Sequence, residues 1–86
     1  MNDLYNKAKT KWGVRAQLIK AIEEMSELTK ELAKSLNSNM DRQHIAEEVA
    51  DVKIMIEQIE LFFEIEALVK QYKRKKLDRL ERLVSE

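Results

Sequence analysis

Helix-breaking residues are nearly absent from this chain. Its 86 residues include no proline and a single glycine, Gly13, whereas 37% are Asp, Glu, Lys or Arg. Proline disrupts the interior of a helix and glycine weakens it, so a chain without them can form long uninterrupted helices. The sequence therefore predicts an all-α fold. Its length predicts one small domain over residues 1–86, with a modest core.

Apolar residues recur at steps of three and four along most of the chain, a spacing typical of amphipathic helices. The predicted helices cover residues 3–11, 14–36, 41–63 and 66–84. Gly13 is predicted to end the first helix and Asp41 to cap the third. The polar turn Asn37-Ser38-Asn39 should join the second and third helices, which we expect to form an antiparallel pair within a small helical bundle.

The third predicted helix is apolar on more than one side. One stripe contains Ile45, Val49, Val52 and Ile56, and further apolar residues, including Ile54, Met55 and Leu61, lie beside it. A helix this broadly apolar is hard to cover within a chain of 86 residues. The pattern therefore predicts a homo-oligomer, a dimer or a tetramer, with this helix near the interface.

Composition narrows the class of protein. The chain has no cysteine, which excludes disulfides and thiolate metal sites. No apolar run approaches the roughly 20 residues of a membrane span, and no signal-peptide pattern is present, so a cytoplasmic protein with no membrane partner is expected. A net charge of zero gives no general reason to expect nucleic acid.

Charge is nevertheless unevenly distributed. Residues 1–65 carry 12 acids and 9 Lys or Arg, whereas residues 66–86 carry 4 acids and 7 Lys or Arg. An acidic body with a basic last helix is suited to holding a metal ion together with the phosphates that the ion chelates.

The strongest functional signal is an acidic motif that occurs twice, as EEMSE at residues 23–27 and EEVAD at residues 47–51. Within each copy two carboxylates are three residues apart, Glu24 with Glu27 and Glu48 with Asp51, and so project from nearly the same helix face. In an antiparallel pair the two copies would lie at similar heights. Four converging carboxylates need a counter-charge, and Mg²⁺ is the usual cation for an all-oxygen site.

This paired motif resembles the signature of the MazG-like, all-α nucleoside triphosphate pyrophosphatase superfamily, which is ExxE, a spacer of some tens of residues, then ExxD. The surrounding segments KWGVRAQLIKAIEEMSEL and IAEEVADVKIMIEQI are also similar to that superfamily. The resemblance covers about residues 10–80 and is to the short, single-domain phage and bacterial members.

The resemblance implies hydrolysis of a (deoxy)nucleoside triphosphate at the α–β bond, giving a monophosphate and pyrophosphate, as in nucleotide-pool cleansing. It implies Mg²⁺, with Mn²⁺ as a substitute, held by Glu24, Glu27, Glu48 and Asp51, one of which would act as general base. It also implies a dimer or a tetramer.

Three residues near the first motif are candidate substrate contacts, each with a simpler alternative. Gln17 is on the face of Glu24 and could reach the base or sugar, but a surface position is the favoured interpretation. Lys20 could contact a phosphate or remain in solvent. Trp12 could stack on a nucleobase, although an aromatic residue at a helix junction more often anchors packing. His44 is expected to be a capping or surface residue.

The basic run of the last helix has three interpretations. Lys73, Lys76 and Arg79 could form a solvated face, contact substrate phosphates, or bind nucleic acid, and the last is the least favoured. For the whole chain, the alternative to an enzyme is a helical-bundle interaction module, in which the third helix docks a partner and the acids are structural.

Overall fold

The computed structural model describes residues 2–37 and 39–86, and these residues form four α-helices. The helices are α1 (Asn2–Trp12), α2 (Val14–Ser35), α3 (Arg42–Phe62) and α4 (Glu66–Val84). Met1 and Ser38, the latter within the predicted polar turn, lie outside the described residues. The all-α prediction is confirmed, and each predicted helix lies within about one residue of the observed bounds.

Gly13 and Asp41 delimit helices at the positions that the sequence predicts. Gly13 separates α1 from α2 with a φ of 86°, a backbone conformation that side chains with a Cβ rarely adopt. Its N–H still donates to the Lys9 carbonyl at 2.8 Å, so α2 begins directly where α1 ends. At the start of α3 the Asp41 carboxylate accepts a hydrogen bond from the backbone N–H of His44 at 3.0 Å.

The turn between α3 and α4 was not predicted in detail. Glu64 adopts a left-handed conformation with a φ of 53°, and the N–H of Ile65 donates to the Glu60 carbonyl at 3.0 Å. This is the Schellman pattern that commonly ends helices, with a glutamate at the position where glycine is usual. Without glycine or proline in this segment, the sequence shows only a gap between two periodic stretches.

The core lies where α1 packs across the pair formed by α2 and α3. The pair is antiparallel, because Glu31 late in α2 meets His44 early in α3, whereas Glu24 meets Asp51 further along α3. Among the described residues the buried apolar side chains are Tyr5, Ala21, Val52 and Met55. The buried polar or charged ones are just as numerous and are Gln17, Glu31, Glu48 and Gln58. Charged groups are almost never buried unless they are paired.

Helix α4 is attached mainly at its start. It contacts α3, and none of its residues, all of which the structure describes, is buried. Its apolar side chains remain about half exposed, for example Leu80 at 53% and Leu83 at 52%. The molecule is correspondingly flat, measuring 46 × 34 × 19 Å. None of the helices in the described part of the chain is long and apolar enough to span a bilayer.

Among the described residues, a side-chain hydrogen bond and a cation–π contact join α1 to α3. The hydroxyl of Tyr5, a buried residue, donates a hydrogen bond to Glu57 Oε1 at 2.7 Å. This hydrogen bond, burial and the negative charge of Glu57 together raise the pKa of Tyr5 above its ordinary value of 10.0. Lys9 lies over the ring of Phe62, with its Nζ 5.8 Å from the ring centroid.

We predict that the stability of the fold depends on the ionisation of Tyr5. The neutral phenol donates to Glu57, so its contribution is fully present below the ordinary pKa and is lost as the pH rises through the raised pKa. The urea midpoint should therefore fall in alkaline solution, and this fall should be smaller in Tyr5→Phe. In a Tyr72→Phe background Tyr5 is the sole tyrosine. There, tyrosinate absorbance should show a lower pKa after Glu57→Gln, and an unchanged titration would contradict the prediction.

Candidate metal centre

Three carboxylates from two helices converge on one point. Glu24 of α2 and both Glu48 and Asp51 of α3 each offer an oxygen, and these oxygens lie within 4.8 Å of one another. Glu48 is buried, Glu24 is half-buried and Asp51 is exposed. The group therefore has a closed inner end at Glu48 and opens to solvent at Asp51.

Three of the four predicted ligands meet in this group, and Glu27 does not. Glu27 is exposed. At 3.6 residues per turn, a step of three residues rotates a side chain by about 60°, so such a pair can point to one partner, as Glu48 and Asp51 do, or to different ones, as Glu24 and Glu27 do. Two carboxylates three residues apart thus share a broad face, but both need not point to the same partner.

Glu31, which the sequence analysis did not identify, is not one of the three converging carboxylates and is linked to Glu48 through His44. It lies seven residues after Glu24, and a step of seven departs from alignment by only about 20°. Glu31 is buried at 5% exposure, and its Oε1 lies 3.0 Å from Nδ1 of His44. The seven-residue spacing between Glu24 and Glu31 is the sequence feature that predicts both acids on one face of α2.

His44 links the two helices, whereas the sequence favoured a capping or surface role. Its Nε2 lies 3.2 Å from Glu48 Oε1, so the ring stands between a carboxylate of α2 and a carboxylate of α3. The side chain is 43% exposed, which leaves one edge of the ring in solvent. The spacing of four residues between His44 and Glu48 places both on one face of α3.

Lys20 supplies a positive charge at the solvent side of the group. Its Nζ lies 3.1 Å from Glu24 Oε1, and its side chain is 55% exposed. The hydrogen bond to Glu24 raises the pKa of Lys20, and the negative charges of Glu24, Glu23 and Asp51 raise it further. Lys20 is therefore a cation beside the carboxylates. The sequence alone allowed either a phosphate contact or a solvent-exposed position for this residue.

The other candidate contacts lie elsewhere. Gln17 is buried at 8% exposure, so the predicted surface position is wrong. Trp12 is 58% exposed and does not act as a packing anchor. Its ring lines an apolar cavity of about 280 Å³ between α1 and α3, together with Leu4, Ile54 and Gln58.

The basic residues of α4 do not meet the carboxylates within one chain. Lys73, Lys76 and Arg79 are exposed, and no ion pair among the described residues joins α4 to the group. A contact between these cations and the site would need a bridging ligand or a second copy of the chain.

The electrostatics of the group fit a divalent cation. Glu48 Oε2 is closed to solvent and has no hydrogen-bond partner among the described residues. A buried charged oxygen without a partner is unfavourable, and two further carboxylates nearby add repulsion. Three carboxylates form an all-oxygen donor set, which hard cations such as Mg²⁺ and Mn²⁺ prefer. A cation bound by Glu48 Oε2 and by the two other carboxylates would satisfy that oxygen and remove the repulsion.

Comparisons with known proteins do not assign the chain to a family. No protein-family model, curated protein or solved structure matches it. The function must therefore follow from the chemistry of these residues and from the motif resemblance described above.

We predict that Glu24 contributes more to cation binding than Glu27. Glu24→Gln removes one of the three converging oxygens, so Mn²⁺ affinity should fall strongly, whereas Glu27→Gln changes an exposed residue outside the group. Electron paramagnetic resonance of free Mn²⁺ in a titration measures both. Equal losses in the two variants would contradict the observed geometry and favour a four-carboxylate site.

Proposed function

We propose that this protein is a Mg²⁺-dependent nucleoside triphosphate pyrophosphohydrolase of the MazG-like type, which cleaves the α–β bond to release pyrophosphate. The observation that carries the proposal is the unpartnered, buried oxygen of Glu48 within a group of three carboxylates. These carboxylates belong to the two copies of the acidic motif, so the geometry and the motif resemblance point to the same residues.

Glu24, Glu48 and Asp51 would hold the cation. Bound there, Mg²⁺ supplies positive charge that binds triphosphate oxygens and neutralises the charge that develops during displacement. Three protein ligands do not fill the six positions that Mg²⁺ prefers, which leaves places for water and phosphate oxygens. The exposed position of Asp51 allows a triphosphate to approach from solvent.

The chain's own residues would do two further things. A carboxylate of the group would accept the proton from the attacking water, as a general base must lie within hydrogen-bonding reach of that water. Lys20, kept cationic beside Glu24, would pair with a phosphate oxygen at the solvent side.

The nucleoside end of the substrate would lie toward α1. Gln58 and Ile54 follow Asp51 along α3 by seven and three residues, so the cavity that they line begins one turn from the carboxylates. The half-exposed ring of Trp12 borders this cavity and would offer a surface for base stacking.

We also propose that the protein is a homo-oligomer in which α4 forms the interface between copies. Its half-exposed leucines form an apolar side that nothing within the described part of the chain covers. Seven Lys or Arg and three acids lie in α4, whereas residues 1–65 carry an excess of acids. Two α4 helices would repel each other, so α4 should pack on the acidic helices of a second copy. This arrangement would bring basic residues such as Lys76 and Arg79 toward a neighbouring site.

The catalytic prediction concerns the products. With Mg²⁺, a panel of NTPs, dNTPs and dUTP should yield monophosphate and pyrophosphate, without orthophosphate, and EDTA should stop the reaction. Glu48→Gln and Asp51→Asn should each lower kcat by about 10²–10³-fold, the usual cost of losing one group that stabilises developing charge. Product analysis by ion-exchange chromatography measures both effects.

The matched control is Glu47→Gln, because Glu47 is an exposed acid beside Glu48 that lies outside the carboxylate group. This variant should retain the unaltered rate. Turnover that persists in Glu48→Gln and Asp51→Asn, or orthophosphate as the product, would reject the assigned site. An absence of turnover with every nucleotide would favour the interaction module.

The assembly prediction concerns Leu80. Leu80→Glu places a charge within the exposed apolar side of α4 and should shift the protein to monomers in sedimentation velocity. Gln71→Glu adds the same charge nine residues away, on the opposite side of α4, and should leave assembly unchanged. A monomeric unaltered protein, or an oligomer unaffected by Leu80→Glu, would reject the α4 interface.

A further inference from the structure

The two oxygens of Glu48 have different surroundings. Oε1 lies 3.2 Å from His44 Nε2, whereas Oε2 has no hydrogen-bond partner among the described residues and is closed to solvent. A carboxylate can rotate about its terminal torsion, which is broad and roughly two-fold. The contact with His44 therefore fixes the rotation of the Glu48 carboxylate, so that one of its two equivalent oxygens faces His44 and the other stays free.

His44 is itself fixed from the other helix. Its Nδ1 lies 3.0 Å from Glu31 Oε1, and the second oxygen of Glu31 lies 3.2 Å from Lys34 Nζ. Both ring nitrogens thus lie within 3.2 Å of carboxylate oxygens from different helices, which restricts the position and the rotation of the ring. Lys34, Glu31, His44 and Glu48 form a continuous polar chain from α2 to α3.

Burial makes this chain more than a surface ion pair. Glu31 is 5% exposed and Glu48 is 9% exposed, so both carboxylates have lost most of their water. Such groups keep their geometry because breaking one contact leaves a buried charge without a partner. Exposed ion pairs, in contrast, are worth little and exchange readily.

We propose that Glu31 and His44 are positioning residues, which hold Glu48 Oε1 and thereby direct Oε2 toward the cation. This inference rests on the proposed cation site, and it assigns to Glu31 and His44 a role outside the group of three ligands. Residues that orient metal ligands in this way commonly affect affinity almost as much as the ligands themselves. Glu31 acts on the cation only through His44.

The test is Mn²⁺ binding to the full chain, measured by electron paramagnetic resonance with Mn²⁺ alone as the probe. His44→Leu removes both contacts of the ring and should weaken Mn²⁺ binding by about 10- to 100-fold. His44→Gln keeps one N–H donor for Glu48 and should recover part of the loss. Glu31→Leu should weaken binding in the same direction as His44→Leu.

Two control comparisons distinguish a positioning role of Glu31 and His44 from a general effect of charge and from a loss of stability. Glu47→Leu removes the same charge as Glu31→Leu at an exposed position and should leave Mn²⁺ affinity unchanged. The double variant Glu31→Leu with His44→Leu should bind no more weakly than His44→Leu alone, because the two residues act in one chain of contacts. Urea unfolding without metal reports any purely structural effect, and affinities are compared for the folded protein.

The outcomes are distinct. If His44→Leu and Glu31→Leu bind Mn²⁺ as tightly as the unaltered protein, the positioning role is overturned. If Glu24→Gln and Glu48→Gln nevertheless lose affinity, the assignment of the cation site still stands. Equal losses in Glu47→Leu and Glu31→Leu, or additive losses in the double variant, would also overturn it. No Mn²⁺ binding by the unaltered protein would overturn the positioning role together with the proposed function.

Discussion

Burial of carboxylates between α2 and α3 is the constraint on which the structure depends. Glu31 and Glu48 lie among the few buried side chains of the molecule, with Glu24 half-buried next to Glu48. Each needs a counter-charge or a donor, since an unpaired buried charge is strongly destabilising. Lys34 and His44 lie within 3.2 Å of the two oxygens of Glu31 and of Glu48 Oε1, whereas Glu48 Oε2 is closed to solvent and has no hydrogen-bond partner among the described residues. The candidate site is therefore built partly from residues that also belong to the core, such as Glu48.

Because charged and polar side chains occupy much of the core, little buried apolar surface remains to stabilise a single chain. The described residues bury four apolar side chains, and many large apolar ones on α2, α3 and α4 stay exposed. A domain of this size is marginal even with a well-formed core. Self-association through α4 would cover part of that surface, so the proposed oligomer and the polar core are two consequences of one distribution of residues.

Periodicity and capping were sufficient to predict the helices but not their rotation about their own axes. Gly13 and Asp41 act locally, so their effects on helix ends could be read from the sequence. Which acids point inward depends on how α2 and α3 are rotated against each other, and a three-residue motif spans too wide an arc to fix that rotation. The sequence therefore placed Glu27 in the group, whereas among the described residues Glu24, Glu48 and Asp51 converge, and Gln17 was expected in solvent although it is buried.

Carboxylates that take the place of apolar core residues would also couple cation binding to folding. The unfolded chain has no convergence of Glu24, Glu48 and Asp51, so a cation that binds them stabilises only the folded state. Without the cation, repulsion among these acids opposes the packing of α2 on α3, the most extensive helix contact in the molecule. Under the proposed cation binding, the free energy of unfolding and the affinity for the cation would change together when a residue of the group is altered. His44 lies between Glu31 of α2 and Glu48 of α3, so under the proposed cation binding it would affect both quantities although it is outside the group of three carboxylates.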